Sequence, residues 1–143
     1  ALDMTTQARY LMLLRELREA SGFALILISH DLLVVRYLCE RVAVMYAGRI
    51  VEEGPVHSVF ARPQHPYTHA LLSVVPSVGQ TTRLEVIEGS PPDPTASLPG
   101  CRFAPRCHHV RGVCGVSEPP LSSRSDTGDS ARCWGTDTGG WID

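Results

Sequence analysis

Phe23-Ala24-Leu25-Ile26-Leu27-Ile28-Ser29-His30-Asp31-Leu32-Leu33 decides the fold class. The six apolar residues Phe23 to Ile28 are too few for a helix, carry no polar alternation and sit between the turn formers Ser21-Gly22 and Ser29. The spacing therefore predicts a strand buried on both faces, as in a parallel sheet. Asp31 follows as a helix cap, and Leu32, Val35 and Leu38 carry a short helix that ends near Glu40. Strand, polar turn and helix make an α/β unit.

Upstream, Asp3 is placed to cap a helix in which Tyr10, Leu13, Leu14, Leu17 and Ala20 recur at helical spacing. That stripe is expected to pack as core, with Gln7, Arg9, Arg15, Glu16, Arg18 and Glu19 outward. Downstream, Val42, Val44 and Tyr46 alternate, Ala47-Gly48 breaks, and Ile50-Val51 resumes, which reads as a hairpin. Pro55 and Pro66 suit the first turns of two short helices, one to Phe60 and one through Leu71, Leu72 and Val75. From Gly89 to Gly100 the chain turns to Gly, Ser and Pro, as expected of an extended connector.

Composition narrows the function classes. With 143 residues, 43% of them hydrophobic, there is material for one modest core. Thirteen basic against fifteen acidic residues leave no field to attract phosphates, so nucleic acid is not an expected partner. No apolar run approaches the roughly 20 residues of a membrane-spanning helix. No export signal opens the chain, which starts at Ala1 inside a motif, so a preceding segment is expected.

His30 sits where an α/β strand gives way to a helix, the place where ligands of open sheets bind. An imidazole N–H there can hydrogen-bond a terminal phosphate oxygen and hold an attacking water in line; on position alone it is equally an ordinary surface-loop histidine. The neighbouring motifs add to this. Ala1-Leu2-Asp3-Met4-Thr5-Thr6-Gln7 resembles the D-loop of ABC ATPases, and Leu27-Ile28-Ser29-His30-Asp31-Leu32 resembles their H-loop. Arg41 to Gly54 resembles the strand pair that follows, and Pro63-Gln64-His65-Pro66-Tyr67-Thr68-His69-Ala70-Leu71-Leu72 resembles the His-Pro-Tyr signature of the oligopeptide, dipeptide and nickel importer branch. His65-Pro66-Tyr67 itself asks for no catalysis, because a proline-started helix is what sterics favour there.

The resemblance implies an α/β fold, the C-terminal part of a P-loop NTPase domain of the ABC type, followed by an irregular Cys-rich extension. Residues 1–60 would be the end of the nucleotide-binding domain, residues 61–133 the importer-type extension with its four-cysteine segment 101–133, and residues 134–143 a loose tail. Asp3 would lie at the interface of two nucleotide-binding domains and His30 would contact the γ-phosphate of ATP. The cofactor implied is ATP with Mg2+. The partners implied are a second nucleotide-binding subunit, transmembrane permease subunits and, indirectly, an external solute-binding protein, with the protein peripheral on the cytoplasmic face of the membrane. The phosphate loop, the signature motif and the acidic residue that orients water are not in these 143 residues, so the full-length protein is expected to hydrolyse ATP and this stretch alone is not.

Cys101, Cys107, Cys114 and Cys133 form a second constellation, with five, six and eighteen residues between successive members. Disulfides do not suit a reducing compartment. Structural zinc sites draw on short cysteine pairs, which this spacing lacks, whereas a [4Fe-4S] cluster takes one thiolate on each iron and suits wider spacing. Zinc and unligated thiols remain as alternatives; His108 and His109 could enter a zinc site but read more simply as exposed polar residues of a loop. Arg102 and Arg106 would offset the negative charge, and Pro105 would help to exclude water. Gly100-Cys101-Arg102-Phe103-Ala104-Pro105-Arg106-Cys107 resembles the cysteine segment of the same importer branch, some members of which bind an iron–sulfur cluster; His108 stands where many relatives have proline. Cys39, in a mostly apolar helix, reads as a packed thiol. A rival reading takes the chain as a non-enzymatic iron–sulfur or zinc module for assembly or regulation, and an upstream phosphate loop in the same reading frame separates the two.

Overall fold

The computed structural model describes residues 3–74, 87–93, 95–96, 98–124 and 128–136. Ala1 and Leu2 of the first motif, Val75 of the expected fourth helix, and the tail beyond Thr136 lie outside them. The chain divides into two compact units, residues 1–40 and 41–143.

In the first unit, helix α1 runs Met4–Ser21 and α2 runs Leu32–Leu38. Asp3 caps α1 by accepting the Thr6 N–H at 2.7 Å, and Gly22, at φ 67°, ends it by donating its N–H to the Arg18 carbonyl. Asp31 caps α2, its Oδ1 accepting from the N–H groups of Leu33 and Val34. The two helices are tied by the Arg18 guanidinium, which donates to the Leu38 carbonyl at 2.6 Å and pairs with the Glu40 carboxylate. Arg18, expected to face outward, thus belongs to the inner stripe with Leu11 and Leu14, while Tyr10, Leu13 and Leu17 are exposed. The expected core stripe is not buried, because two helices of this size offer too little surface to cover it.

A second expectation fails in the same unit. Residues 22–29 form no strand, and Ile26 and Ile28 are 91% and 96% exposed. A strand exists only through the ladder hydrogen bonds of a neighbour, and no other strand of the first unit is present among the described residues to supply them.

The second unit is a four-stranded antiparallel sheet with short helices. Strands β1 (Arg41–Tyr46) and β2 (Arg49–Pro55) form the expected hairpin. Ala47 and Gly48 both have positive φ, 46° and 79°, the geometry of a two-residue turn that matches strand twist. Helices α3 (Val56–Ala61) and α4 (Pro66–Ser73) follow, with Pro66 in the first turn of α4 as its ring favours. The described connector residues up to Gly100 contain no helix or strand, as their composition implies. The extension is more regular than expected. It holds α5 (Gly112–Val116) and two three-residue strands, β3 (Ser122–Arg124) and β4 (Asp129–Ala131), and β4 pairs with the open edge of β2 to give the order β1-β2-β4-β3. The core comprises Val44, Tyr46, Val51, Val59 and Phe103, so hairpin, α3 and cysteine segment share one apolar interior.

The deepest polar group of this core is Glu52, which is fully buried on β2. Its two carboxylate oxygens accept the backbone N–H groups of Gln64 at 2.6 Å and His65 at 2.9 Å, which fixes the chain just ahead of α4. Burial pushes the Glu52 carboxyl above its ordinary 4.5 despite those bonds, with the charge of Asp129 adding to the rise. A carboxyl raised in the folded state binds a proton there that it releases on unfolding, so its contribution to stability is full below the ordinary value and is lost as pH rises through the folded value. Glu52→Gln replaces one acceptor by an amide that cannot accept and is expected to destabilise by about 1–3 kcal/mol. In urea titrations the gap between wild type and variant should shrink as pH rises from 4.5; a gap independent of pH would show that Glu52 does not titrate in the fold.

Candidate functional site

His65 begins the site. It caps α4, its Nδ1 accepting the Tyr67 N–H at 3.0 Å, and it is 1% exposed. Burial pushes its imidazole down to about 4, so it is neutral near pH 7. Its ring lies 5.8 Å from that of Phe103, which also meets Tyr46 edge-on at 5.2 Å and Tyr67 at 5.5 Å. Such tilted and edge-to-face contacts suit aromatic quadrupoles, and here they seat the cysteine segment on the hairpin and α4.

Each cysteine is then held by its own backbone contacts. Cys101 donates its N–H to the Cys114 carbonyl at 2.8 Å, which brings the segment against α5. Ala104–Arg106 form a single 3-10 turn between Cys101 and Cys107. Cys114 donates its N–H to the Arg111 carbonyl at 2.9 Å. Cys133 follows β4, where Arg132 donates to the carbonyls of Val51, Ile50 and Pro119, and Cys133 Sγ accepts the Gly135 N–H at 3.4 Å. Glu118 pairs with Arg49 on β2 at 3.3 Å and closes the same side.

The result is one partly open cavity with Cys101, Cys107, Cys114 and Cys133 all on its wall. His65, Phe103, His109, Arg111, Pro119 and Trp134 complete most of the lining. Burial pushes the Cys107 thiol up to about 11, and the nearby Cys133, Cys101 and Cys114 push it further in the same direction. Burial also raises Cys101 and Cys133. Thiols raised in this way, Cys101, Cys107 and Cys133, give up their protons together only to a strongly positive occupant. Among the described residues, no group of three or more His, Cys, Asp or Glu side chains is gathered as a ready site for a single metal ion.

The arginines expected to balance this charge are engaged elsewhere. Arg102 donates to the Ala47 carbonyl at the hairpin turn, and Arg106 donates to the carbonyls of Ile87 and Glu88, both at 2.8 Å, and to the Tyr46 hydroxyl. They fasten the segment to the hairpin, and Arg111 is the arginine on the cavity wall. Pro105 is absent from that wall, where Pro66 and Pro119 stand instead. His65 and Trp134 are wall residues that spacing gave no reason to join to the cysteines, since only the tertiary fold does so.

Asp3 and His30 belong to the first unit. Asp3 is exposed at the start of α1, where the Thr6 N–H and hydroxyl hold its carboxyl below the usual range. His30 is exposed, directly before the Asp31 cap of α2. Cys39 ends α2 as a half-buried thiol, its proton held more tightly by burial.

Residues 51–114 match the family described as oligopeptide/dipeptide transporter, C-terminal region. A protein of Brucella melitensis named as a peptide import ATP-binding protein is 46% identical over 134 residues, which is 93% of this chain and 40% of the relative. A protein of Sinorhizobium fredii, named as a peptide ABC transporter ATP-binding protein, is 48% identical over 136 residues, 94% of this chain and 40% of the relative. A Brucella ovis peptide import ATP-binding protein is 45% identical over 141 residues, 93% of this chain and 41% of the relative. The chain thus spans about two fifths of the length of the curated relatives it matches.

Gly100 is where the cavity is most sensitive to a single added carbon. A Cβ there would run into the Cys114 carbonyl oxygen and stand 2.7 Å from the carbonyl carbon of Gly115, with only backbone in the way. Gly100→Ala is expected to cost about 1–3 kcal/mol, as overpacking does, and to part Cys101 from Cys114. Mass spectrometry after brief iodoacetamide treatment under native conditions should find both cysteines modified faster than in wild type.

Proposed function

Because residues 51–114 carry the C-terminal region of the oligopeptide/dipeptide transporter family, we propose that this chain is the C-terminal part of an ATP-hydrolysing subunit that powers peptide import. The observation that carries the reading is likeness over nearly the whole chain, 46–48% identity across 93–94% of it, to proteins named as ATP-binding components of peptide import. The order of elements supports it: a capped helix behind Asp3, then His30 ahead of a capped helix, then the hairpin. In this reading the subunit docks on separate permease subunits at the cytoplasmic face; among the described residues no helix is long and apolar enough to cross a membrane.

In this reading His30 hydrogen-bonds the γ-phosphate of Mg2+-bound ATP and helps to align the attacking water, and Asp3 meets a second nucleotide-binding subunit. The exposure of both side chains leaves them accessible for those contacts. The phosphate loop and the acidic residue that orients water come from the remainder of the protein. In the complete subunit, His30→Ala is expected to lower ATP turnover by about a hundredfold or more, the usual scale for removing one hydrogen-bond donor to a developing charge; unchanged turnover would remove His30 from the mechanism.

The cavity supports a second element of the proposal, a [4Fe-4S] cluster held by Cys101, Cys107, Cys114 and Cys133. The feature that supports it is that all four thiols share a single cavity, and their wide spacing in the chain suits a cluster better than one zinc ion. When bound, such a group supplies either a one-electron redox centre or a covalent cross-link of the extension. The chain's own part is to supply four thiols, to exclude water with Phe103 and Pro119, and to hold the segment through Arg102 and Arg106. Anaerobic reconstitution with ferrous iron and sulfide should give visible absorbance and about four irons per chain. Changing any one of the four cysteines to serine should lower iron content, whereas Cys39→Ser should leave it unchanged.

A further inference from the structure

The buried imidazole of His65 has a defined orientation and is on the wall that carries the four thiols. Its backbone N–H is taken by Glu52 and its Nδ1 accepts the Tyr67 N–H. A nitrogen that accepts carries no proton, so the neutral ring holds its proton on Nε2. Phe103, Pro66, Ala104, Pro119 and the cysteines make up much of the rest of the wall, with His109, Arg111 and Trp134 as its other side-chain donors.

We infer that His65 is a positioning residue for the sulfur face of this cavity, donating its Nε2–H to a cysteine thiolate or cluster sulfide and thereby setting the reduction potential of the bound centre. The inference rests on the iron–sulfur reading and goes beyond it, because it gives the His-Pro-Tyr stretch a chemical role besides starting a helix. Hydrogen bonds to cluster sulfurs favour the reduced, more negative state and raise the potential. The mechanical coupling is short: Glu52 on β2 holds the backbone of the residue whose side chain meets the cavity, and the α4 cap fixes which ring nitrogen is free to donate.

The test uses the full chain reconstituted anaerobically with ferrous iron and sulfide. His65→Ser keeps an oxygen to cap α4 but is too short to reach the sulfurs, so the cluster should assemble with a midpoint potential shifted downward. A purely helix-capping role would leave the potential unmoved. In wild type labelled with 15N-histidine, pulsed electron paramagnetic resonance of the reduced cluster should detect a histidine nitrogen coupling that His109→Ser, at the other histidine of the wall, retains and His65→Ser abolishes; loss of the coupling in His109→Ser, or no coupling in wild type, overturns the role of His65 even if His65→Ser fails to fold. A cluster that assembles normally, shows no histidine coupling and keeps its potential in His65→Ser overturns the role of His65 alone. Failure of wild type to take up iron, seen as absent visible absorbance, overturns the cluster reading and this inference with it.

Discussion

One buried carboxylate governs how the second unit is assembled. Glu52 spans from the sheet to the backbone of Gln64 and His65, and a charged acceptor at such a depth is tolerated only where donors meet it. By fixing His65, it starts α4 at a set place; α4 presents Tyr67 to Tyr46, with ring centroids 4.7 Å apart; and both rings receive Phe103. Phe103 lies between Cys101 and Cys107, so the position of two cavity thiols descends, contact by contact, from that carboxylate. Asp129 reinforces the same region: it accepts from the Ser58 hydroxyl and packs against Gly54, where no side chain would fit.

Much of this was legible in sequence where the signal is local. Aspartates ahead of α1 and α2, glycine after α1, the Ala47-Gly48 turn and the proline of α4 each follow from the conformational preference of a single residue type. Strands β3 and β4 were not legible, because Ser122-Ser123-Arg124 and Asp129-Ser130-Ala131 carry no alternating apolar pattern. β4 is a strand because β2 leaves an edge for it to pair with, and β3 because it pairs in turn with β4. The opposite error arose at Phe23 to Ile28, whose composition is that of an interior strand but which has no ladder partner among the described residues of its unit. Pattern reports what a segment is suited to, and pairing depends on what stands beside it.

The candidate sites divide in the same way. Asp3 and His30 are recognisable from short motifs, and the fold adds that both are exposed beside helix starts. The cysteine set was recognisable as a set, but its geometry was not, since the widest gap, from Cys114 to Cys133, is closed by β3 and β4. The arginines were misjudged for a physical reason. A guanidinium offers five donors, and carbonyls left open at the hairpin turn and the connector satisfy them more fully than the thiols would.

The exposed run from Phe23 to Ile28 has a practical consequence for handling the protein. Six uncharged, β-prone residues with Ile26 and Ile28 almost fully bare match the composition of segments that stack into cross-β fibrils. A preparation of these 143 residues would be prone to self-association in proportion to concentration, and a soluble β-rich partner chain that covers the run would act as its solubiliser.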